Sequence, residues 1–133
     1  MKTLVLLYCC SVSVVVMLLF QDTELKKSME RGQEIYADFC VTCHLDKGEG
    51  VPYTFPPLAA SDYVMENREG SIKAIKYGLQ GEITVNGVTY NSAMAAMGLE
   101  DEEVADVMNY ISNSWGNSSK AIVTIEEVAK IQK

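Results

Sequence analysis

The sequence predicts an all-α domain with three to five helices and one small hairpin. Apolar residues recur at helical spacing in several segments, most clearly in 29–39 and 100–115. The segment 83–90 instead has β-branched residues on both sides of Asn86-Gly87, which is typical of a hairpin turn. A chain of 133 residues is near the commonest size for one domain.

The chain begins with an uncharged run that lies outside the predicted domain. After Lys2, the 17 residues from Leu4 to Phe20 carry no charge. As a helix they would span roughly 26 Å, slightly less than a hydrocarbon core of about 30 Å. We interpret residues 1–20 as a signal peptide or a membrane anchor, with membrane contact through 4–20. Both interpretations place the domain in the periplasm or on the outer face of the cytoplasmic membrane.

Residues 21–28 are polar and predict a short tether. A helix is expected from Met29 to Phe39, with Ser28 as its N-cap. Its apolar stripe begins with a glycine, which costs about 1 kcal/mol relative to alanine inside a helix. Either another helix approaches closely there, or the helix starts after the glycine. The stripe consists of Gly32, Ile35, Tyr36 and Phe39.

The middle of the chain predicts short elements separated by turns. Phe55 to Leu58 contains two prolines and is therefore extended, because proline disfavours helix in the residue before it. A short helix is predicted from Ala60 to Glu66. A longer helix begins with Ser71 as its cap and ends at Gly78.

The last third of the chain predicts one strong and one weak helix. After an irregular segment at 91–99, the helix from Glu100 to Trp115 has acidic residues at the positive end of its dipole and a continuous apolar stripe. Residues 118–133 are expected to be a C-terminal extension. Within it, Thr124 to Ile131 predicts a short helix that packs weakly.

The motif Cys40-Val41-Thr42-Cys43-His44 carries the most specific chemistry. C-x-x-C-H is the attachment site of c-type haem. Two thiols at this spacing reach two vinyl groups along one porphyrin edge, and the imidazole that follows lies under the iron as its proximal ligand. His44 is the sole histidine of the chain. The motif predicts one covalently bound haem c, with the helices wrapped round it.

A pair of cysteines at this spacing has two other uses in proteins, a zinc site and a disulfide or redox pair. A zinc site needs four N or S ligands, usually from two separated pairs, but Cys9 and Cys10 lie in the apolar N-terminal run. A structural disulfide or a thioredoxin-like redox pair is the other use. Nothing before Cys40 predicts the βαβ frame that the redox motif needs.

The second axial position of the iron requires a methionine, a lysine or an empty site, since no second histidine exists. Met94 and Met97 lie 50 and 53 residues after His44, in irregular chain between two helices. A loop there can place a thioether over the ring, although either residue could also be a gap-filling apolar side chain. Thioether ligation favours reduced iron and raises the potential, which suits electron transfer.

Net charge restricts the class of partner. Without Lys2, the chain from residue 21 onward has 10 basic and 18 acidic residues, a net charge of −8. This charge argues against nucleic acid, whose phosphates it would repel. It is compatible with steering toward a basic protein surface.

Residues 29–117 resemble the class I cytochromes c, especially bacterial monohaem forms. Besides the haem motif, the resemblance rests on Gly78-Leu79-Gln80-Gly81, Val85-Asn86-Gly87, Tyr90-Asn91-Ser92-Ala93-Met94, Glu103-Val104-Ala105-Asp106, Tyr110-Ile111 and Trp115-Gly116-Asn117. It implies the cytochrome c fold, with a small hairpin or loop before the methionine ligand.

The resemblance also implies roles for individual residues. In the family an N-terminal helix crosses the C-terminal helix at a glycine–aromatic contact, and Gly32, Tyr36 and Tyr110 match those positions. A proline 12 residues after the histidine accepts a hydrogen bond from the imidazole, and Pro56 matches it. Met94 is favoured as the axial ligand with Met97 as the alternative, because the proline that usually follows the ligand is Ala95 here.

The sequence therefore predicts a one-electron carrier, not an enzyme, that connects a respiratory or dehydrogenase donor with an oxidase or reductase acceptor. Its expected partners are redox proteins with a basic docking surface: a quinoprotein dehydrogenase, a copper reductase or a terminal oxidase. The alternative is a five-coordinate haem sensor or redox enzyme with a labile distal methionine. A peroxidase-like mechanism would lack its usual acid/base group. The residues expected to line the haem pocket are Phe39, Val51, Tyr53, Phe55, Leu58, Ile75, Leu79, Tyr90 and Met108.

Overall fold

The computed structural model describes residues 22–133, so the expected signal peptide or anchor at 1–20 lies outside the described residues. The described part is helical with one small antiparallel sheet, which confirms the predicted fold class. The helices are α1 (22–39), α2 (Val41–His44), α3 (Asp62–Glu66), α4 (Arg68–Tyr77), α5 (Asp101–Ile111) and α6 (Ile125–Lys130), and the strands are β1 (Ile83–Val85) and β2 (Val88–Tyr90). Between residues 22 and 133, no helix is both long enough and apolar enough to cross a membrane.

Helices α1 and α5 pack against each other at Gly32. A Cβ at this position would overlap the backbone oxygen of Asp106 and lie 2.9 Å from the Cβ of Tyr110, so a larger residue would force the helices apart. Tyr36, one turn along α1, contacts Tyr110 with ring centroids 5.6 Å apart. The structure thus brings Gly32, Tyr36 and Tyr110 together at the helix crossing.

The expected tether and helix start need correction. Residues 22–28 are helical and belong to α1, so Ser28 is not an N-cap. Ser28 is buried, and its hydroxyl donates to Asp106 Oδ1 at 2.6 Å and accepts from Asn109 Nδ2 at 2.8 Å. The polar composition of this segment was misleading because these polar partners lie on α5, far along the chain.

The C-terminal extension belongs to the core, so the expectation of weak packing was wrong. Val128 of α6 is fully buried, and α6 lies against α5. Arg68 at the start of α4 donates to both carboxylate oxygens of Glu127, at 2.6 and 2.7 Å, and to two backbone oxygens of the segment before α6. The extension is therefore bound to both α4 and α5.

Three helix boundaries differ from the sequence prediction. Helix α3 begins at Asp62 rather than two residues earlier. Helix α4 is capped by Asn67, whose Oδ1 accepts from the backbone N–H of Gly70, so Ser71 lies inside the helix. Helix α5 ends at Ile111 instead of Trp115, because the next backbone N–H groups, those of Asn113 and Ser114, donate to carbonyls only three residues back. Trp115 itself has a φ of 51°, outside the right-handed helical region.

The hairpin matches its prediction. Strands β1 and β2 pair antiparallel with Val85 opposite Val88. Asn86 and Gly87 have φ angles of 50° and 76°, and a type I′ turn requires positive φ at both positions. Asn86 also exchanges two hydrogen bonds with Asp62, which fixes the hairpin to the start of α3.

Candidate haem-binding site

The haem motif folds into a single helical turn, α2, directly after α1. The backbone N–H of His44 donates to the carbonyl of Cys40 at 2.9 Å, which brings the two cysteines and the histidine together. Both thiols are free and half-buried. Cys40 lines one cavity, Cys43 lines a second, and His44 lines both. The motif therefore presents its thiols and its imidazole to a common interior space.

His44 is held in one tautomer. Its side chain is buried, and Nδ1 lies 3.0 Å from the carbonyl oxygen of Pro56. A carbonyl can only accept, so Nδ1 carries the proton and Nε2 is the nitrogen left for a metal. Burial lowers the pKa of His44, against an opposing contribution from the Pro56 hydrogen bond. The burial effect is the larger of the two and favours the neutral imidazole, which is the ligating form.

The environment of Cys40 argues against a redox dithiol. Burial raises the pKa of the Cys40 thiol to about 11, with a further contribution from nearby Cys43. Cys40 is therefore protonated at neutral pH. Thiol–disulfide oxidoreductases depend on a cysteine with a lowered pKa, because the thiolate is the nucleophile.

Two cavities meet at the haem motif and share part of their lining. The shared residues are His44, Pro56, Leu79, Ile83 and Met94. In the part of the chain that the structure describes, no Asp, Glu, Lys or Arg side chain lines either cavity. Of the residues predicted to line a haem pocket, six line these cavities: Phe55, Leu58, Ile75, Leu79, Tyr90 and Met108.

Phe39, Val51 and Tyr53 line neither cavity, which corrects their assignment to the pocket. All three are exposed, Tyr53 by 78%. Tyr53 lies in a tight turn, with a φ of 62°, that is closed by two backbone hydrogen bonds between Val51 and Phe55. The turn leaves Tyr53 at its tip, and within it Phe55 reaches the cavity.

Some residues that line the two cavities were not predicted from the sequence. Ile83 and Val85 lie two residues apart on β1 and hence on one face of the hairpin, a spacing that could have identified them. Val64 and Ile111 also line the first cavity, from α3 and α5. Short elements such as α3 have too few turns for a clear periodic signal.

The structure distinguishes Met94 from Met97. Met94 lines both cavities, as His44 does, whereas Met97 lines one. Met94 is also fixed by the backbone, because its N–H donates to Leu79 at 2.8 Å and its carbonyl accepts from Leu79 at 2.9 Å. This placement favours Met94 as the thioether beside the imidazole.

The residues present fit haem c. Two free thiols at C-x-x-C spacing, a buried imidazole with Nε2 available and a half-buried thioether all border one apolar space. Ligand sites of this kind are mostly apolar with a few well-placed polar groups. Cys40 and Cys43 would hold the group covalently, and His44 with Met94 would bind its iron.

The chain matches the cytochrome c family over residues 29–115. It belongs to the cytochrome c family. It is 41% identical over 110 residues to cytochrome c-552 of Thermus thermophilus, which covers 76% of this chain and 83% of that protein. It is also 32% identical over 105 residues to the cytochrome c subunit of the quinone alcohol dehydrogenase of Gluconobacter oxydans, over 76% of this chain and 22% of that subunit. The gluconate 2-dehydrogenase cytochrome c subunit of Pantoea cypripedii is 32% identical over 123 residues, over 85% of this chain and 28% of that subunit.

This membership confirms the class I c-type cytochrome predicted from the haem motif. It also confirms covalent haem c as the cofactor and electron transfer, rather than catalysis, as the general function. The matches to the two dehydrogenase subunits cover only 22% and 28% of their length.

Proposed function

We propose that this cytochrome carries single electrons outside the cytoplasmic membrane, between a respiratory or dehydrogenase donor and an oxidase or reductase acceptor. The observation that carries this proposal is the joint position of His44 and Met94 on both cavities. When bound, haem c supplies one-electron oxidation and reduction. With an imidazole and a thioether on its iron, no position is left for a substrate.

The protein's own residues suit this role. Pro56 accepts the Nδ1 proton of His44 and so fixes the imidazole, which strengthens it as a donor to the metal. As a ligand, the thioether of Met94 would favour reduced iron and raise the potential. The apolar lining excludes water, so that little solvent needs to reorganise when the charge of the iron changes.

The partner is proposed to be a redox protein with a basic surface. The net charge of −8 from residue 21 onward would steer such a partner toward this chain. The second cavity is flanked by residues 51–61 and 83–99, which contain no Asp, Glu, Lys or Arg. A partner that touches this uncharged surface briefly, and is attracted by the acidic residues elsewhere on the chain, fits the small and weak interfaces of redox complexes.

Three partner classes remain within this proposal: a quinoprotein dehydrogenase, a copper reductase and a terminal oxidase. Similarity to cytochrome subunits of quinone alcohol dehydrogenases supports the first. Location in the periplasm or on the outer face of the cytoplasmic membrane is supported by the uncharged run at Leu4 to Phe20 and by the chemistry of covalent haem attachment.

A five-coordinate sensor or redox enzyme is the alternative, favoured by the exposed backbone that follows Met94. Ala95 and Ala96 are exposed, and no proline stiffens the segment. The alternative requires that Met94 leave the iron readily.

An absorption spectrum of the haem-loaded protein, oxidised and reduced, tests the proposal. We expect a weak near-infrared sulfur-to-iron band in the oxidised form and no spectral change when carbon monoxide is added to the reduced form. Met97→Ala should retain both properties, and Met94→Ala should lose both. A wild-type protein without the band that binds carbon monoxide readily would support the sensor or enzyme instead.

A further inference from the structure

Gly50 contacts the backbone of both residues that form the His44–Pro56 hydrogen bond. Its backbone N–H donates to the carbonyl of His44 at 3.0 Å, and its Cα faces the carbonyl group of Pro56. Its φ is 63°, a conformation that residues with a side chain rarely adopt. Gly50 is therefore in contact with the backbone of the histidine and with the acceptor of its ring proton.

We propose, resting on the proposed function in which His44 is the axial histidine, that Gly50 is a positioning residue for it: the missing Cβ lets the Pro56 carbonyl approach His44 Nδ1. A Cβ at position 50 would lie 2.7 Å from the oxygen and 2.8 Å from the carbon of that carbonyl, and would also overlap the carbonyl oxygen of Phe55. All of these are backbone atoms, so no side-chain rotation can relieve the overlap. The backbone at this contact has to move, and the Pro56 carbonyl is part of it.

Movement of this carbonyl changes the electronic character of the imidazole. The Nδ1–H to Pro56 bond makes His44 a stronger donor, and a stronger donor stabilises oxidised iron more than reduced iron. A longer or misdirected bond weakens the donor. The midpoint potential therefore rises when the carbonyl is displaced, and the ring proton exchanges faster with solvent.

Other glycines of the chain provide matched controls. Gly81 and Gly87 also have positive φ, 99° and 76°, but nothing lies within 4 Å of a Cβ added to either. Alanine at these two positions introduces unfavourable backbone conformation without crowding. The difference between Gly50→Ala and these variants isolates the contact with Pro56 from the general effect of positive φ.

The test uses haem-loaded protein and two readouts that do not depend on a partner. In the NMR spectrum of the reduced form, the His44 Hδ1 signal of Gly50→Ala should exchange with solvent roughly tenfold faster than in wild type, the factor that corresponds to about 1.4 kcal/mol, the size of one hydrogen bond. Its midpoint potential should rise. Gly81→Ala and Gly87→Ala should lose stability but keep both properties.

The proposal is overturned if Gly50→Ala matches Gly87→Ala in proton exchange and in potential. Should Gly50→Ala fail to accumulate with haem, Pro57→Ala probes the same carbonyl without adding an atom. Pro57 restricts the backbone of Pro56, so its replacement frees the carbonyl to move. A smaller shift of both readouts in the same direction supports the proposal, and unchanged readouts overturn it.

Discussion

The two sides of the haem cavity are held in different ways. On the His44 side the side chain itself is fixed, because the ring donates to Pro56 while the backbone carbonyl accepts from Gly50. On the Met94 side the backbone is fixed by its pair of hydrogen bonds with Leu79, and the following residues 95 and 96 are exposed. The imidazole is thus constrained directly, and the thioether only through its loop.

This difference matches the demands on the two ligands. His44 follows the proposed covalent anchors Cys40 and Cys43, so its place is set by the motif and needs only a fixed ring orientation. Met94 lies 50 residues later, and its position depends on how the intervening elements pack. We therefore expect substitutions to disturb the Met94 side of the cavity more readily than the His44 side.

The largest contrast should come from removing each ligand. His44→Ala is expected to reduce haem-loaded protein to roughly a tenth or less, because the proximal ligand is lost. Met94→Ala should leave haem attached, lower the midpoint potential and allow carbon monoxide to bind. Haem content, potential and carbon monoxide spectra measure these outcomes. Met97→Ala serves as the control, and a loss of the sulfur band in it instead of in Met94→Ala would reverse the assignment of the ligand.

Crowding the Met94 backbone should have the next largest effect. A Cβ at Gly78 would lie 2.6 Å from the carbonyl oxygen of Met94 and 2.9 Å from the N of Ala96. Gly78→Ala is expected to lower the free energy of unfolding by about 3 kcal/mol, from overpacking and positive φ together. Gly81→Ala, with positive φ and open space, should cost less in the same denaturant titration. Equal losses in the two variants would mean that the Met94 contact is unimportant.

A single hydrogen bond connects the loops that follow His44 and precede Met94. Ser92 Oγ donates to the carbonyl of Thr54 at 2.7 Å, across the edge of the second cavity. Ser92→Ala should reduce the free energy of unfolding by about 1 kcal/mol and speed exchange of amides around Met94. Hydrogen exchange followed by NMR measures the amides on the His44 side and on the Met94 side of the cavity in one experiment. Ser92→Thr keeps the hydroxyl and should behave like wild type, so similar losses in the two variants would argue against a role for this bond.

The smallest expected effect is a pH dependence of folding stability that arises from Glu127 on α6. The hydrogen bond from Arg68 holds the pKa of Glu127 below its usual 4.5. A lowered pKa means that the carboxylate stabilises the fold above about pH 4.5, and that this contribution is lost as pH falls through the lower value of the folded state. The pair is partly exposed, so the loss should be under about 1 kcal/mol.

Glu127→Gln should flatten this part of the stability profile, measured by thermal unfolding between pH 3 and pH 6. The matched control is Glu126→Gln. The pKa of Glu126 is lowered by hydrogen bonds with its own backbone and with Thr124, and it has no contact with Arg68 in the described structure. A stability profile between pH 3 and pH 6 that Glu127→Gln leaves unchanged would show that the Arg68–Glu127 pair does not couple α6 to α4.

Features encoded by neighbouring residues could be predicted from the sequence. The motif from Cys40 to His44 specifies its chemistry within five residues, and Asn86-Gly87 specifies its turn within two. The resemblance supplied two longer relations, the Pro56 acceptor and the Gly32–Tyr110 crossing. The structure has matching contacts at both places.

Features that depend on distant partners could not be predicted. Ser28 resembled a helix cap because its partners, Asp106 and Asn109, lie 78 and 81 residues away. The extension resembled a loosely packed end because Arg68, which binds Glu127, is 59 residues earlier. The identity of a polar residue does not reveal whether its side chain faces water or a buried partner. Local pattern alone therefore misassigned both ends of the domain.

The position of Trp115 makes tryptophan fluorescence a probe of the folding of this protein. It is the sole tryptophan of the chain, and its ring packs on Tyr36 and over Gly48, close to both ends of the haem motif. A bound haem absorbs at the wavelengths at which tryptophan emits and so quenches a neighbouring indole. The native protein with haem bound should therefore show almost no tryptophan fluorescence. The emission that appears in denaturant would then report, from one fixed position, the separation of the turn that follows α5 from the bound haem.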